Sequence, residues 1–261
     1  MRIVYNKNEM NKKLSPNEMV RYARHLNIPD LGVTGQLKLK NSSALIAGCG
    51  GLGSASSLYL AAAGIGRIGL VDSDVVELSN LQRQIIHATD DIGLPKVQSA
   101  SSRLSALNPE IMISMRHERI LQENVEDLIL DYDIVVDATD NFETRYLLNA
   151  ASVRLGKPFV YGAIFQFSGQ MSVFNYQNGP CFQCVFSHMP SEEHRAASRG
   201  LGVVGALPGV IGSLQVIEVI KICAGIGQQM SGRLLIFDGL EMEFREISIK
   251  KNEHCPVCSL L

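Results

Sequence analysis

Apolar residues in this chain arrive in short runs bounded by glycine or charge. Ser43 to Ala47 (SALIA), Ile68 to Asp72, Asp133 to Asp137 (DIVVD) and Pro158 to Tyr161 read as strands, with a further strand at Ile111 to Met115. Between them, Ser54–Ala63, Lys96–Leu107, Asn124–Leu130 and Asn141–Leu155 read as helices. A strand, a turn, a helix and a second strand within about 30 residues make a βαβ unit, whose parallel strands require a sheet buried under helices on its faces. The pattern repeats, so it predicts an α/β fold with a doubly wound, mostly parallel sheet.

After Gly162 the pattern changes. Gly169–Asn175 and Arg233–Phe237 read as strands, and Glu241 to Ile249 (EMEFREISI) alternates as a half-buried strand does. Together they predict an antiparallel C-terminal extension of the sheet. Val210–Ala224 has the apolar spacing of a buried helix, whereas Ser187–Gly202 has no apolar period and reads as a long mobile loop, a feature usually functional or disordered. A single domain over residues 1–261 is expected, with residues 1–40 as a helical arm and 163–261 as the extension.

Composition narrows the function classes. The chain has 261 residues, 46% of them hydrophobic, enough for one large core. Its 24 basic and 26 acidic residues give a net charge of -2, without the basic excess that phosphate-backbone binding needs, so nucleic acid is not expected as a partner. Met1–Lys13 lacks the apolar core of a secretory signal. The nearest approach to a membrane span, Leu58–Leu70, is too short and contains glycines and Arg67. A cytoplasmic location away from membranes is therefore expected. In that reducing compartment the six cysteines read as metal ligands or reactive thiols.

Gly48-Cys49-Gly50-Gly51-Leu52-Gly53 fits G-x-G-x-x-G between a strand and a helix, where backbone N–H groups and the helix dipole favour phosphate. Asp72, about 20 residues on at the end of the next strand, is placed to accept from ribose hydroxyls. These features make the sheet Rossmann-like, and a glycine turn that merely packs helix on strand is the competing explanation. The next segment argues against a hydride-transferring dinucleotide. Ser79-Asn80-Leu81-Gln82-Arg83-Gln84 supplies amide and guanidinium donors, and Lys96 adds a cation at a helix start. A triphosphate under attack by a carboxylate needs such a clamp, because charge grows on the leaving pyrophosphate. Read alone, Arg83 and Lys96 would be solvated surface charges.

Asp137 and Asp140 (VVDATDN) follow a parallel strand, at the edge where open α/β sheets bind ligands. Either could hold Mg²⁺, which takes one or two carboxylates plus phosphate oxygens; alternatively Asp140 caps the following helix. Cys181-Phe182-Gln183-Cys184 and Cys255-Pro256-Val257-Cys258 are two C-x-x-C pairs that can supply four thiolates to a closed structural zinc site, tying the C-terminal tail to the domain. Two redox dithiols are the other reading. Cys49 and Cys223 read as small packing residues.

These motifs, with Arg21-Tyr22-Ala23-Arg24-His25 and GLPKV, resemble in order and over nearly the whole chain the HesA/MoeB/ThiF family of E1-like enzymes that adenylate ubiquitin-like sulfur carriers. The resemblance implies attack of a carrier's C-terminal Gly-Gly carboxylate on ATP, giving an acyl-adenylate and pyrophosphate. It implies that Asp72 holds the ribose, that Gly51 and Asn80 line the nucleotide site, and that Arg83, Gln84 and Lys96 contact phosphates. Asp140 would serve Mg²⁺ and the α-phosphate, with Gly48, Gly50, Gly53, Asp74, Ser79 and Asn141 completing the nucleotide set. Arg24 would reach the ATP site of the other subunit of a homodimer, and the four C-x-x-C cysteines would hold Zn²⁺. The carrier would be MoaD-like or ThiS-like, serving molybdopterin or thiamine-type sulfur transfer.

One departure stands out: Ser198 occupies the loop position at which members of that family commonly carry a cysteine. A serine cannot form a persulfide or an exchangeable disulfide, so any sulfur is expected from a separate persulfide donor. Two other readings remain, an NAD-dependent oxidoreductase and a catalytically reduced, zinc-stabilised binding module.

Overall fold

The computed structural model describes residues 13–193 and 201–259. Its elements run α1 (Pro16–Arg21), α2 (Ala23–Leu26), α3 (Gly32–Lys40), β1 (Ser43–Ala47), α4 (Gly51–Ala63), β2 (Arg67–Val71), α5 (Lys96–Leu107), β3 (Met112–Arg116), α6 (Val125–Ile129) and β4 (Ile134–Asp137). They continue through α7 (Phe142–Arg154), β5 (Phe159–Phe165), β6 (Ser168–Phe174), α8 (Phe182–Val185), α9 (Leu207–Ala224), β7 (Arg233–Asp238) and β8 (Glu243–Ser248). The eight strands form one sheet in the order β3-β2-β1-β4-β5-β6-β7-β8. Strands β1 to β5 pair in parallel, and β5 to β8 pair antiparallel.

Both faces of β1, β2, β4 and the first half of β5 are covered, which is why these strands lack polar alternation, whereas the parallel edge strand β3 is largely exposed. In β1, Ala44 and Ile46 pack into one core while Leu45 packs into the other; in β4, Ile134 and Val136 separate in the same way from Val135. The first core takes side chains from α3, α4, α5 and α9, and the second from α6 and α7. The side-chain period of two thus decides which layer each residue joins.

Several boundaries depart from the sequence reading. Helix α4 begins at Gly51 instead of Ser54, because Gly50 is already its N-cap. Helix α9 begins at Leu207, with Pro208 in its first turn, where the missing N–H has no intrahelical partner to lose. Strand β5 runs on to Phe165, where antiparallel pairing with β6 replaces a helical crossover. The half-buried reading of Glu241–Ile249 is wrong: all six residues of β8 are exposed, on a sheet edge. Its register against β7 is held by backbone pairing and by stacking of Phe244 on Phe237 at 4.6 Å.

Among the described residues, helix α9, and not Leu58–Leu70, comes nearest to membrane-span length and composition, with 18 residues at a mean hydropathy of 1.6. It packs against α4, α3, β5 and β6, and it carries the buried polar residues Gln215 and Glu218. In the expected loop at Ser187–Gly202, residues 194–200, including Ser198, lie outside the described residues.

Candidate active site

The strand order reverses between β1 and β4, and the loops after these two neighbouring strands meet there, as ligand crevices do in open α/β sheets. The loop after β1 is the glycine turn. Gly48 has φ of 98°, and a Cβ on it would lie 2.6 Å from the Ala138 carbonyl oxygen in the loop after β4. A Cβ on Gly53 would meet the Gly48 carbonyl oxygen at 2.0 Å. Here the glycines allow two backbones to approach closely, and the approach places the turn before Asp140 against the first turn of α4.

The other predicted nucleotide residues gather around this turn. Asp72 accepts from the Cys49 N–H at 2.7 Å and from the Asp74 N–H at 2.8 Å, so its half-buried carboxylate is fixed beside the glycine turn. Gln84 is buried, its amide nitrogen 3.6 Å from a Cβ placed on Gly50. Its Oε1 has no hydrogen-bond partner among the described residues. Arg83 is half-buried and donates from Nη1 to the Ser79 carbonyl at 3.0 Å. Asn80 is buried and accepts from the Glu77 N–H at 3.3 Å, while Ser79 is exposed and donates to Glu77. Lys96 opens α5 with its side chain nearly buried and bridges to the exposed Asp74 at 2.9 Å. An ammonium at a helix N-terminus opposes the dipole, so an anion beside it relieves that conflict.

Asp137, the last residue of β4, and Asp140, in the loop beyond it, have separate surroundings. Asp137 is fully buried and receives Arg145 Nε at 2.6 Å and the Thr139 N–H and hydroxyl at 3.0 and 2.6 Å. Arg145 Nη2 donates to the Thr139 carbonyl at 2.8 Å, and the guanidinium lies 5.0 Å from the centre of the Tyr161 ring. Burial pushes the Tyr161 hydroxyl up to about 12, against the opposing charge of Arg145. Asp137 is therefore a structural partner and not a metal ligand. Asp140 is exposed, with no hydrogen bond or ion pair among the described residues. It does not cap α7: the cap is Asn141, whose side-chain oxygen accepts from the Thr144 N–H at 2.9 Å. That bond ties Asn141 to the helix end and leaves Asp140 at the crevice edge.

Arg24, in α2, is exposed. Away from the crevice, Cys181, Cys184, Cys255 and Cys258 bring four sulfurs within 4.8 Å of one another. Three of the contacts are 3.6 Å (Cys181–Cys255), 3.8 Å (Cys181–Cys184) and 3.3 Å (Cys184–Cys258). Tetrahedral Zn–S bonds of about 2.3 Å would place the sulfurs about 3.8 Å apart, so the residues fit that ion. Burial, followed by the neighbouring cysteine sulfurs, pushes the Cys181 thiol up, a conflict that a bound cation reverses. Asn149 reaches Cys181 Sγ at 3.8 Å and fixes the Phe182 N–H at 2.9 Å. Cys49 and Cys223 remain separate thiols, and burial raises the pKa of both, as expected of packing residues.

Sequence reasoning passed over Arg145 and His87. Arg145 falls on the buried stripe of α7 with Leu148, Asn149 and Ser152, and a charge at that spacing was its signal. His87 sits in a segment with no period, and nothing in the sequence marks it.

Residues 22–257 match the ThiF family. Among curated relatives, the adenylyltransferase and sulfurtransferase MOCS3 of Aedes aegypti is 49% identical over 256 residues, 98% of this chain and 58% of its own length. The chain thus spans little more than half of that relative. The sulfur carrier protein adenylyltransferase of Thermus thermophilus is 45% identical over 246 residues, 92% of this chain and 91% of its own. Among solved structures, Escherichia coli MccB with MccA-N7isoASN superposes with a TM-score of 0.82 at 24% identity, over 91% of this chain and 74% of MccB. PaaA superposes with a TM-score of 0.79 at 23% identity, over 95% of this chain and 79% of its own. The two structures share the fold, and the family match and the relatives together establish that this chain belongs to the ThiF family.

Proposed function

We propose that this chain adenylates the C-terminal Gly-Gly carboxylate of a ubiquitin-like sulfur carrier protein. A carboxylate oxygen attacks the α-phosphorus of ATP, the bond to the bridging oxygen breaks, and pyrophosphate leaves. The observation that carries the reading is the convergence at the β1/β4 crevice of a glycine turn, the cations Arg83 and Lys96, and the exposed carboxylate of Asp140, which has no hydrogen bond among the described residues. A hydride-transferring site would need the first of these and not the others.

In this reading Asp72 accepts from the ribose hydroxyls, and the N–H groups of Gly50 to Gly53 face phosphate. The buried Oε1 of Gln84, without a hydrogen-bond partner among the described residues, suits a polar nucleotide group beside Gly50. Lys96 exchanges Asp74 for a phosphate oxygen, and Arg83 meets the charge growing on pyrophosphate, each as a fixed donor with little to reorganise. Asp140 would hold Mg²⁺, which would neutralise phosphate charge. The four clustered cysteines would hold a structural Zn²⁺ that fastens residues 255–258 to α8. Arg24 would serve the site of a second subunit in a homodimer. The apolar side chains exposed on the antiparallel extension, Phe165, Phe167, Leu240, Met242 and Phe244, suit a protein carrier.

The relatives' names favour a sulfur carrier as substrate: one is a sulfur carrier protein adenylyltransferase, and another pairs adenylyl transfer with sulfur transfer. Whether a MoaD-like or a ThiS-like carrier is used follows from the test. ATP–pyrophosphate exchange is measured with each carrier and with carriers lacking the terminal glycine. Exchange dependent on the Gly-Gly end supports the reading. No exchange with any carrier, alongside NAD binding, would overturn it.

A further inference from the structure

The glycine turn and the first turn of α5 are far apart in sequence, and a buried chain of hydrogen bonds joins them. His87 is 6% exposed. Its Nε2 lies 3.0 Å from the Cys49 carbonyl oxygen, and its Nδ1 lies 2.7 Å from Ser99 Oγ. Ser99 Oγ in turn lies 2.8 Å from Asp91 Oδ2, which also accepts from the Ala88 N–H at 2.8 Å. Ser99 follows Lys96 by one turn on α5, so it sits on the face that carries the predicted phosphate-binding ammonium.

Proton bookkeeping fixes the ring. A carbonyl oxygen can only accept, so Nε2 must carry hydrogen. In the neutral ring Nδ1 then competes with Asp91 for the Ser99 hydroxyl proton; in the charged ring both nitrogens donate. Either way the bond to Cys49 persists. Burial draws the His87 pKa down, and Lys96 acts the same way, while the Cys49 carbonyl, Asp91 and Asp72 oppose them. The Cys49 carbonyl and the Gly50 N–H belong to one planar trans peptide and point in opposite directions. A carbonyl held on a buried imidazole therefore sends the Gly50 N–H away from the interior, as a phosphate donor requires.

We propose that His87 is a positioning residue for the nucleotide: its Nε2–H holds the Cys49–Gly50 peptide and keeps the glycine turn in register with the helix bearing Lys96. The proposal deepens the adenylation reading and rests on it. The competing explanation is a core histidine that contributes to stability alone.

The test compares His87→Leu with His87→Gln, whose amide can still donate to the Cys49 carbonyl, in the full chain. Calorimetry with ATP and Mg²⁺ needs no carrier. Loss of a buried hydrogen bond that orients a ligand-binding peptide should weaken ATP binding about tenfold in His87→Leu, with His87→Gln within about threefold of wild type. Melting temperatures should not account for the difference. Nitrogen NMR of the wild-type ring should show hydrogen on Nε2, a readout that survives even if the leucine variant fails to fold. Equal ATP affinity in the wild type and His87→Leu, equal impairment in both variants, or a bare Nε2 would overturn the proposal. A wild-type protein that binds no ATP would overturn the adenylation reading, and this proposal with it.

Discussion

Removing the Arg145 guanidinium should be among the costlier single changes in this chain, and the double variant should recover much of the loss. In Arg145→Met, Asp137 keeps its bonds from Thr139 but loses its counter-ion at 2.6 Å, and the Thr139 and Gly162 carbonyls lose donors at 2.8 and 3.4 Å. Breaking a buried pair by removing one partner costs about 3–5 kcal/mol, because an uncompensated charge stays buried. Asp137→Asn should cost a similar amount, since its amide nitrogen opposes Arg145 Nε donor to donor. With both changed, the amide oxygen introduced at position 137 can accept from Thr139 and no buried charge remains, so about 1–2 kcal/mol is expected. The coupling in the double-mutant cycle is then several kcal/mol. At about 2–4 °C per kcal/mol for larger domains, each single variant should melt about 10 °C below wild type. Urea unfolding of the four proteins measures the cycle. Additive single losses, or an Arg145→Met loss below about 1 kcal/mol, would mean that the pair does not hold the loop before Asp140.

Three further outcomes follow from the site. Arg83→Ala and Lys96→Ala should each lower the adenylation rate by about 10²–10³-fold, the scale of losing one fixed donor to developing charge, with unfolding midpoints little changed; unaltered rates would mean that the phosphate site is misread. Cys184→Ser should lower both zinc content, read by elemental analysis, and thermal stability, since metal binding to such a cluster is coupled to folding; full zinc occupancy would remove Cys184 from the ligand set. Acidification should destabilise the wild type through His87. Its folded pKa is lowered, so the unfolded state binds more protons below about pH 6.5, and stability present above that pH is lost on the way down through the folded value. His87→Gln should flatten that part of the urea midpoint against pH, and an identical profile would assign the loss to other groups.

The central parallel strands were legible because they are buried on both faces: DIVVD and SALIA can satisfy two cores only in the middle of a covered sheet. Strand β8 was misread for the converse reason. Its alternation matches a strand with one buried face, but among the described residues no layer covers that edge strand, and burial depends on which layers exist. The glycine turn was legible because backbone geometry demands glycine at Gly48 and Gly53, and the cations proposed to meet phosphate, Arg83 and Lys96, stood out by recurring within a short span.

By itself the sequence determined the βαβ order, the glycine turn, the positions of Arg83 and Lys96 and the two cysteine pairs, because each is a local pattern of residue type and spacing. Only the tertiary structure decided which of the two aspartates, Asp137 closing β4 or Asp140 beyond it, takes a buried ion pair. Asp137 and Asp140 are three residues apart and chemically alike, and what separates them is Arg145, which α7 delivers to one of them. The tertiary structure likewise joined His87 to Cys49 across 38 positions and brought cysteines 74 positions apart into one cluster. Long-range pairings of this kind leave no periodic trace in the chain, because they depend on where whole elements pack.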